Sequence, residues 1–148
     1  MSVFALAALS IVAGCGGSGL SHGAFVKRAD AICSAYDSRV KLGIVTPRSY
    51  DAVERFVRQT LPLYEAALRK LEALTPPSRD AGAVHAWLAN DRRVAAALRD
   101  LAVAAQRRDY QALNDADSRA QLAGNRSRAA AAGLGMHVCA TLASPTTR

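Results

Sequence analysis

Three cysteines and two residues near the last of them have the most distinctive chemistry in this chain. They are Cys15, Cys33 and Cys139, with Met136 and His137 just before the third cysteine. A cysteine sulfur can carry a lipid, can pair with a second cysteine in a disulfide, or can bind a soft metal ion. The surroundings of each cysteine indicate which of these reactions to expect.

Cys15 follows an apolar segment that is typical of an exported protein. This segment, within residues 1–14, is too short to span a bilayer and ends in small residues, like the apolar region of a secretory signal. The tetrapeptide Val12-Ala13-Gly14-Cys15 resembles a bacterial lipobox, in which a lipoprotein signal peptidase cleaves before a diacylglycerol-bearing cysteine. We therefore expect residues 1–14 to be a lipoprotein-type signal peptide and Cys15 to be the acylated first residue of the mature protein.

The first residues depart from an ordinary secretory signal because they contain no lysine or arginine. Either the true start of translation lies upstream of Met1, or the signal is weak. Ordinary signal-peptide cleavage nearby and an uncleaved anchor are the alternatives to acylation.

Residues 15–23 are rich in glycine and serine, which predicts a flexible tether with an r.m.s. reach of roughly 15 Å. The expected location is the extracytoplasmic face of the cell membrane, with free secretion as the alternative. The expected partners are the membrane, reached through the lipid anchor, and an unidentified component of the envelope. Nucleic acid is not expected as a partner, because the chain is exported and only 5% aromatic.

Acylation of Cys15 would leave Cys33 and Cys139 as an even pair in an oxidising compartment, so we expect a disulfide between them. The alternative is a metal site that adds Met136 and His137 to the two cysteines and suits Cu(I) or zinc. Because exported cysteines oxidise readily, the disulfide is the expectation, and no metal or cofactor is assigned.

Four segments with apolar residues every three or four positions predict an all-α domain at residues 24–140. Proline, glycine and capping residues separate the segments. Residues 141–148 are expected to be a disordered tail. The predicted helices run from Ala24 to Gly43, from Thr46-Pro47 to Pro76-Pro77, from Ser78 or Asp80 to Arg108, and from Asp109 to Gly133.

Four such helices with short connections pack most simply as an up-down-up-down four-helix bundle. Pro62 lies inside the second segment and removes one backbone donor, and the apolar stripe keeps its phase across it, which predicts a kinked helix. In this bundle the chain after Gly135 returns toward the first helix and can bring Cys139 to Cys33.

The motifs of several enzyme classes are missing from the sequence. None of its three glutamates is followed three residues later by histidine, which excludes a ferritin-like di-iron site. The haem motif Cys-x-x-Cys-His, the zinc motif His-Glu-x-x-His and the phosphate loop Gly-x-x-x-x-Gly-Lys are also missing. We therefore expect a non-enzymatic cell-envelope lipoprotein, a helical module that binds or spaces an unknown partner. The alternative is an extracytoplasmic carrier of a small ligand or metal, with its site between the helices.

The net charge of +7 comes mainly from arginines that lie off the apolar stripes. A basic surface of this kind would suit anionic lipid headgroups or cell-wall polymers and would reinforce an acyl anchor. The simpler interpretation is that these arginines lie on ordinary solvent-exposed helix faces.

Several short motifs follow one another along residues 25–139: Phe25-Val26, Ala29-Asp30-Ala31-Ile32-Cys33, Leu61-Pro62, Pro76-Pro77, and Leu134-Gly135 before Cys139. Their order resembles a family of small secreted or lipid-anchored proteins from high-GC actinobacteria, which are rich in alanine and arginine and uncharacterised. The resemblance implies a secreted helical domain with paired cysteines. It implies no activity and adds no site residues.

Acylation of Cys15 is directly testable. Protein expressed with its natural upstream start should incorporate labelled palmitate and have the intact mass of a chain that begins at a lipid-modified Cys15. The variant Cys15→Ser, as the control, should incorporate none. A secreted, unlipidated wild-type form that begins at another residue would contradict the prediction.

Overall fold

The computed structural model describes residues 19–41 and 49–142, and the regular structure within them is entirely helical. This confirms the all-α prediction. The helices pack against one another as a bundle. They are α1 (His22–Lys41), α2 (Tyr50–Glu72), α3 (Ala81–Gln106), α4 (Tyr110–Gly133) and α5 (Val138–Thr141), with a 3₁₀ turn at Ser78–Asp80 before α3.

The helix α3 is the centre of the bundle, since it makes the most extensive contacts with α4 and the next most with α2. The helix α1 packs on α2, and the short α5 contacts both α4 and α1. Alanine on both sides explains the close contact of α3 and α4, because small side chains allow helix axes to approach. The buried alanines include Ala97, Ala104 and Ala105 on α3 and Ala116, Ala120 and Ala123 on α4.

The predicted start of the second helix is wrong. The helix α2 begins at Tyr50, and the hydroxyl of Ser49 accepts a hydrogen bond from the backbone N–H of Ala52 at 3.2 Å. Ser49 therefore supplies the cap that the sequence interpretation gave to Thr46. Thr46, Pro47 and the predicted helix end at Gly43 lie outside the described residues. Pro62 lies inside α2, which continues through it.

The two ends of α4 follow the predicted signals. The Asp109 carboxylate accepts a hydrogen bond from the Ala112 N–H at 3.0 Å. At the other end Gly135 has a φ of 76°, and the N–H groups of Gly135 and Met136 donate to carbonyls of the last turn. This is a Schellman motif, which needs glycine in the left-handed region. Asp80 is the N-cap residue of α3, but its carboxylate does not cap the helix and instead accepts from Nδ1 of His22 at 2.8 Å.

The folded domain extends beyond residues 24–140 at both ends. The helix α1 begins at His22, and the N–H of Leu20 donates to the carbonyl of Thr75 at 3.1 Å. Thr141 belongs to α5 and Leu142 packs against the core, so neither is part of a disordered tail. Apolar contact explains both extensions, because Leu20 and Leu142 cover buried core residues. Residues 143–148 lie outside the described residues.

Two residues on one face of α1 hold α5 in place. The Asp30 carboxylate accepts hydrogen bonds from the N–H groups of His137, Val138 and Cys139, at 2.9, 2.9 and 3.0 Å. These donors have no partner inside their own helix, so Asp30 caps α5 from a distant part of the chain. Cys33, three residues after Asp30, forms a disulfide with Cys139, with 5.3 Å between the Cα atoms.

A search of the described segments for a membrane-spanning helix, which must combine sufficient length with sufficient hydropathy, finds none.

Removing either attachment of α5 should destabilise the domain. The disulfide closes a loop of 106 residues, and loop-closure entropy gives up to about 4 to 5 kcal/mol for a loop of this size. We therefore expect Cys33→Ser to lower the melting temperature strongly, and Asp30→Ala to cost about 1 to 2 kcal/mol through loss of the cap. Thermal unfolding followed by circular dichroism measures both.

The matched control is Ser34→Ala, an exposed position on α1. Free thiols at Cys33 and Cys139 in native protein, or a melting temperature unchanged by reduction, would contradict the stabilising role of the disulfide.

Candidate functional site

A cavity lies between the helices, and all five contribute to its wall. It offers about 60 Å³ to the centres of water-sized molecules, which is room for on the order of five waters. The disulfide between Cys33 and Cys139, with Leu142 after α5, forms one side of the wall. The remaining wall is mainly apolar and includes Ala67, Leu68, Leu71, Trp87, Val94 and Gly124.

One carboxylate, Asp91 of α3, is the centre of a polar cluster in this wall. Its Oδ1 accepts hydrogen bonds from the Tyr64 hydroxyl at 2.8 Å and the Ser127 hydroxyl at 2.6 Å. These contacts join α2, α3 and α4. The second oxygen, Oδ2, accepts no hydrogen bond from any residue that the structure describes, and Asp91 has no ion-pair partner among them. Tyr36 of α1 completes the cluster, with its ring edge-to-face against Tyr64 and 5.5 Å between the centroids.

The surroundings change the acidity of this cluster. Burial raises the pKa of Asp91 above its ordinary value, and the hydrogen bonds from Ser127 and Tyr64 only partly oppose that rise. Burial, and then the nearby Asp91 carboxylate, raise the pKa of Tyr64 well above its ordinary value. The pKa of Tyr36 is raised by burial first and then by Asp37 and Asp91. Both tyrosines are therefore neutral at physiological pH, and the same burial makes ionisation of Asp91 less favourable than in water.

This cluster was not predicted from the sequence, although the sequence contains a signal for it. Asp91 lies four residues after Trp87 and three before Val94, so it falls where the apolar stripe of α3 expects a core residue. Ser127 similarly interrupts the small-residue face of α4, and it is 7% exposed. A polar side chain inside an apolar stripe is a more informative observation than an exposed one.

The structure brings together two of the three cysteines singled out from the sequence. Cys33 and Cys139 are bonded to each other and lie in the cavity wall. Cys15 lies outside the described residues. A disulfide offers no thiolate, so the alternative metal site with Met136 and His137 is not assembled. Within residues 19–41 and 49–142, no three His, Cys, Asp or Glu side chains are placed to hold a metal ion.

Several of the arginines form ion pairs between helices. Arg92 and Arg99 of α3 contact Glu72 and Glu65 of α2, and Arg119 of α4 contacts Asp100 of α3. All three arginines are more than half exposed, so each pair contributes little to stability. These side chains are engaged within the fold, which favours the interpretation of solvated helix faces over that of a free basic surface.

Comparison of this chain with models of protein families, with curated proteins and with solved structures finds no match.

The carboxylate of Asp91 should make the stability of the domain depend on pH in a specific direction. Because folding raises its pKa, its contribution favours the fold most below the pKa of the unfolded chain, and it is lost as pH rises through the folded pKa. Asp91→Asn keeps an oxygen that can accept from Tyr64 and Ser127 but cannot ionise. We expect the melting temperature of the variant, relative to wild type, to rise between about pH 3 and about pH 7.

Thermal unfolding at a series of pH values measures this difference, with the exposed Asp100→Asn on the same helix as the control. A difference between Asp91→Asn and wild type that stays constant across the series would contradict the prediction.

Proposed function

We propose that this chain is a non-enzymatic binding protein of the cell envelope that holds a small ligand in its interior cavity. The observation that carries this proposal is a mainly apolar cavity with one carboxylate that lacks an ion-pair partner within the described residues. Cavities of this kind, with an apolar wall and a few convergent polar groups, are the usual form of small-molecule sites.

The presence of a cavity favours a ligand-binding role for the bundle over a role as a spacer module. A spacer needs only a rigid bundle, and a core filled with apolar side chains serves that purpose best. A partly buried carboxylate without an ion pair among the described residues costs stability, so its position in the wall suggests a role other than folding. Groups with perturbed pKa values in a cleft are typical of functional sites.

The same groups support a binding role rather than catalysis. Among the described residues no histidine lines the cavity, and the carboxylate that accepts from the Ser127 hydroxyl, Asp91, has no third group that orients it as a base toward a substrate. A hydrolytic site needs a nucleophile, a base and a group that orients the base. The cluster instead offers one acceptor and three neutral hydroxyls, which suit recognition.

The placement in the envelope rests on two features. Residues 12–15 resemble a lipobox, and a disulfide such as that of Cys33 and Cys139 persists in oxidising compartments. We infer that acylated Cys15 holds the domain at the extracytoplasmic face of the cell membrane. The folded segment begins before the end of the predicted tether at residue 23, since the N–H of Leu20 donates to the carbonyl of Thr75. The resemblance to secreted actinobacterial proteins is consistent with this placement.

We also propose that the four long helices run up-down-up-down and that α2 bends at Pro62. Proline has no backbone N–H, so the carbonyl of Arg58, four residues earlier, loses its helical donor. The residues of α2 that line the cavity, from Tyr64 to Leu71, all follow Pro62. A bend at Pro62 would therefore set the angle of the cavity wall.

Ligand binding in the cavity can be followed through Trp87, the one tryptophan in the chain, which lies in the wall. We expect isobutanol, used as a small neutral probe, to change the Trp87 fluorescence with saturation. Ala67→Leu adds side-chain volume to the wall and should weaken that binding at least about tenfold, because the added atoms take the space of the probe.

The matched control is Ala83→Leu, at an exposed position of α3 away from the cavity. A fluorescence response that does not saturate, or one that Ala67→Leu leaves unchanged, would contradict binding in the cavity.

A further inference from the structure

The Asp91 carboxylate has unused capacity to accept hydrogen bonds. A carboxylate can accept about four, and the two that Asp91 receives from the described residues both go to Oδ1. Both donors are neutral hydroxyls. The described residues give Asp91 no positively charged donor, the kind that forms the shorter and stronger hydrogen bonds to a carboxylate.

The residues that the structure describes do not supply this cation from the cavity wall. Arg128 of α4 is the basic residue that lines the cavity among the described residues. Its guanidinium donates to the Asn125 side chain and, at 3.4 Å, to the carbonyl of Leu142. It forms no ion pair with Asp91, so the carboxylate stays available to a ligand.

The aromatic residues of the wall favour a cation as well. The cavity is lined by Tyr36, Tyr64 and Trp87, which are three of the eight aromatic residues in a chain that is only 5% aromatic. The faces of such rings attract cations, and organic ammonium groups bind in enclosures of this composition. Trp87 is 1% exposed and Tyr36 is 8% exposed, so their rings are fixed by packing.

The size of the cavity limits the ligand to a small molecule. Space for on the order of five waters corresponds to a ligand of a similar number of heavy atoms. A ligand with a carboxylate would be repelled by Asp91, and a neutral one would leave the charge of Asp91 uncompensated.

We propose, on the basis of the function proposed above, that the cavity binds a small organic ammonium ion. The ammonium group donates to Oδ2 of Asp91 and lies beside the rings of Tyr36, Tyr64 and Trp87, and the apolar part of the ligand contacts the aliphatic side chains of the wall. The carboxylate thus serves as the counter-ion of the ligand, which explains why it lies in a mainly apolar wall without a basic partner among the described residues.

Three probes of nearly the same shape test this assignment: isobutylammonium, isobutanol and isobutyrate. Titrations followed by Trp87 fluorescence and by calorimetry should show that isobutylammonium binds wild type about tenfold or more tightly than isobutanol, and that isobutyrate binds weakest. Asp91→Asn should lose the preference for the ammonium probe, whereas the exposed control Asp100→Asn should keep it. The comparison of probes in wild type requires no variant.

The outcomes separate this proposal from the one it rests on. Equal binding of isobutylammonium and isobutanol, or a preference for isobutyrate, would overturn the ammonium assignment and leave a ligand cavity in place. If none of the three probes saturates, both proposals fail.

Discussion

The attachment of α5 to α1 is the interaction on which the rest of the site depends. The Asp30 carboxylate accepts hydrogen bonds from the first N–H groups of α5, and Cys33 is bonded to the sulfur of Cys139 in the same helix. A helix of four residues would not be stable alone, and these two attachments fix its position. Cys139 and Leu142 then close one side of the cavity. Without this wall, Asp91 would be more exposed to water, and the electrostatic interactions in the cluster would weaken.

The same bundle combines close packing with an interior space. Alanines allow α3 and α4 to lie close together, whereas the facing surfaces of α1, α2 and α3 carry the large rings of Tyr36, Tyr64 and Trp87. Gly124 leaves room where α4 borders the cavity. A cavity and a partly buried carboxylate both reduce stability. The disulfide offsets part of that cost, since it restricts the unfolded chain.

The sequence predicted much of the scaffold, because helix periodicity and capping are local signals. The Asp109 cap and the turn at Gly135 are read from neighbouring residues, and the pairing of Cys33 with Cys139 was predicted from the expectation that Cys15 is acylated and that the chain is exported. The role of Asp30 could not be predicted in this way. A charged residue between apolar positions looks the same whether it faces water or caps a helix more than a hundred residues away.

The polar cluster around Asp91 could be predicted from the sequence only in part. Asp91 interrupts the apolar stripe of α3, which is a local signal, but its partners Tyr64 and Ser127 lie on other helices. Periodicity shows which face of a helix is buried and does not show which residues of two faces meet. The cavity is a property of several helices packed together, so it emerges only from the three-dimensional structure.

The most direct test is the titration of the Asp91 carboxyl carbon by NMR, in the free protein and in protein saturated with isobutylammonium. We expect the pKa of Asp91 to lie above the ordinary aspartate range in the free protein, because the carboxyl group is desolvated. That pKa should fall when the ammonium ion binds, because a nearby positive charge favours the ionised carboxylate. An Asp91 pKa in the ordinary range that is unchanged by the ammonium ion would contradict the assignment of Asp91 as the ligand-binding carboxylate.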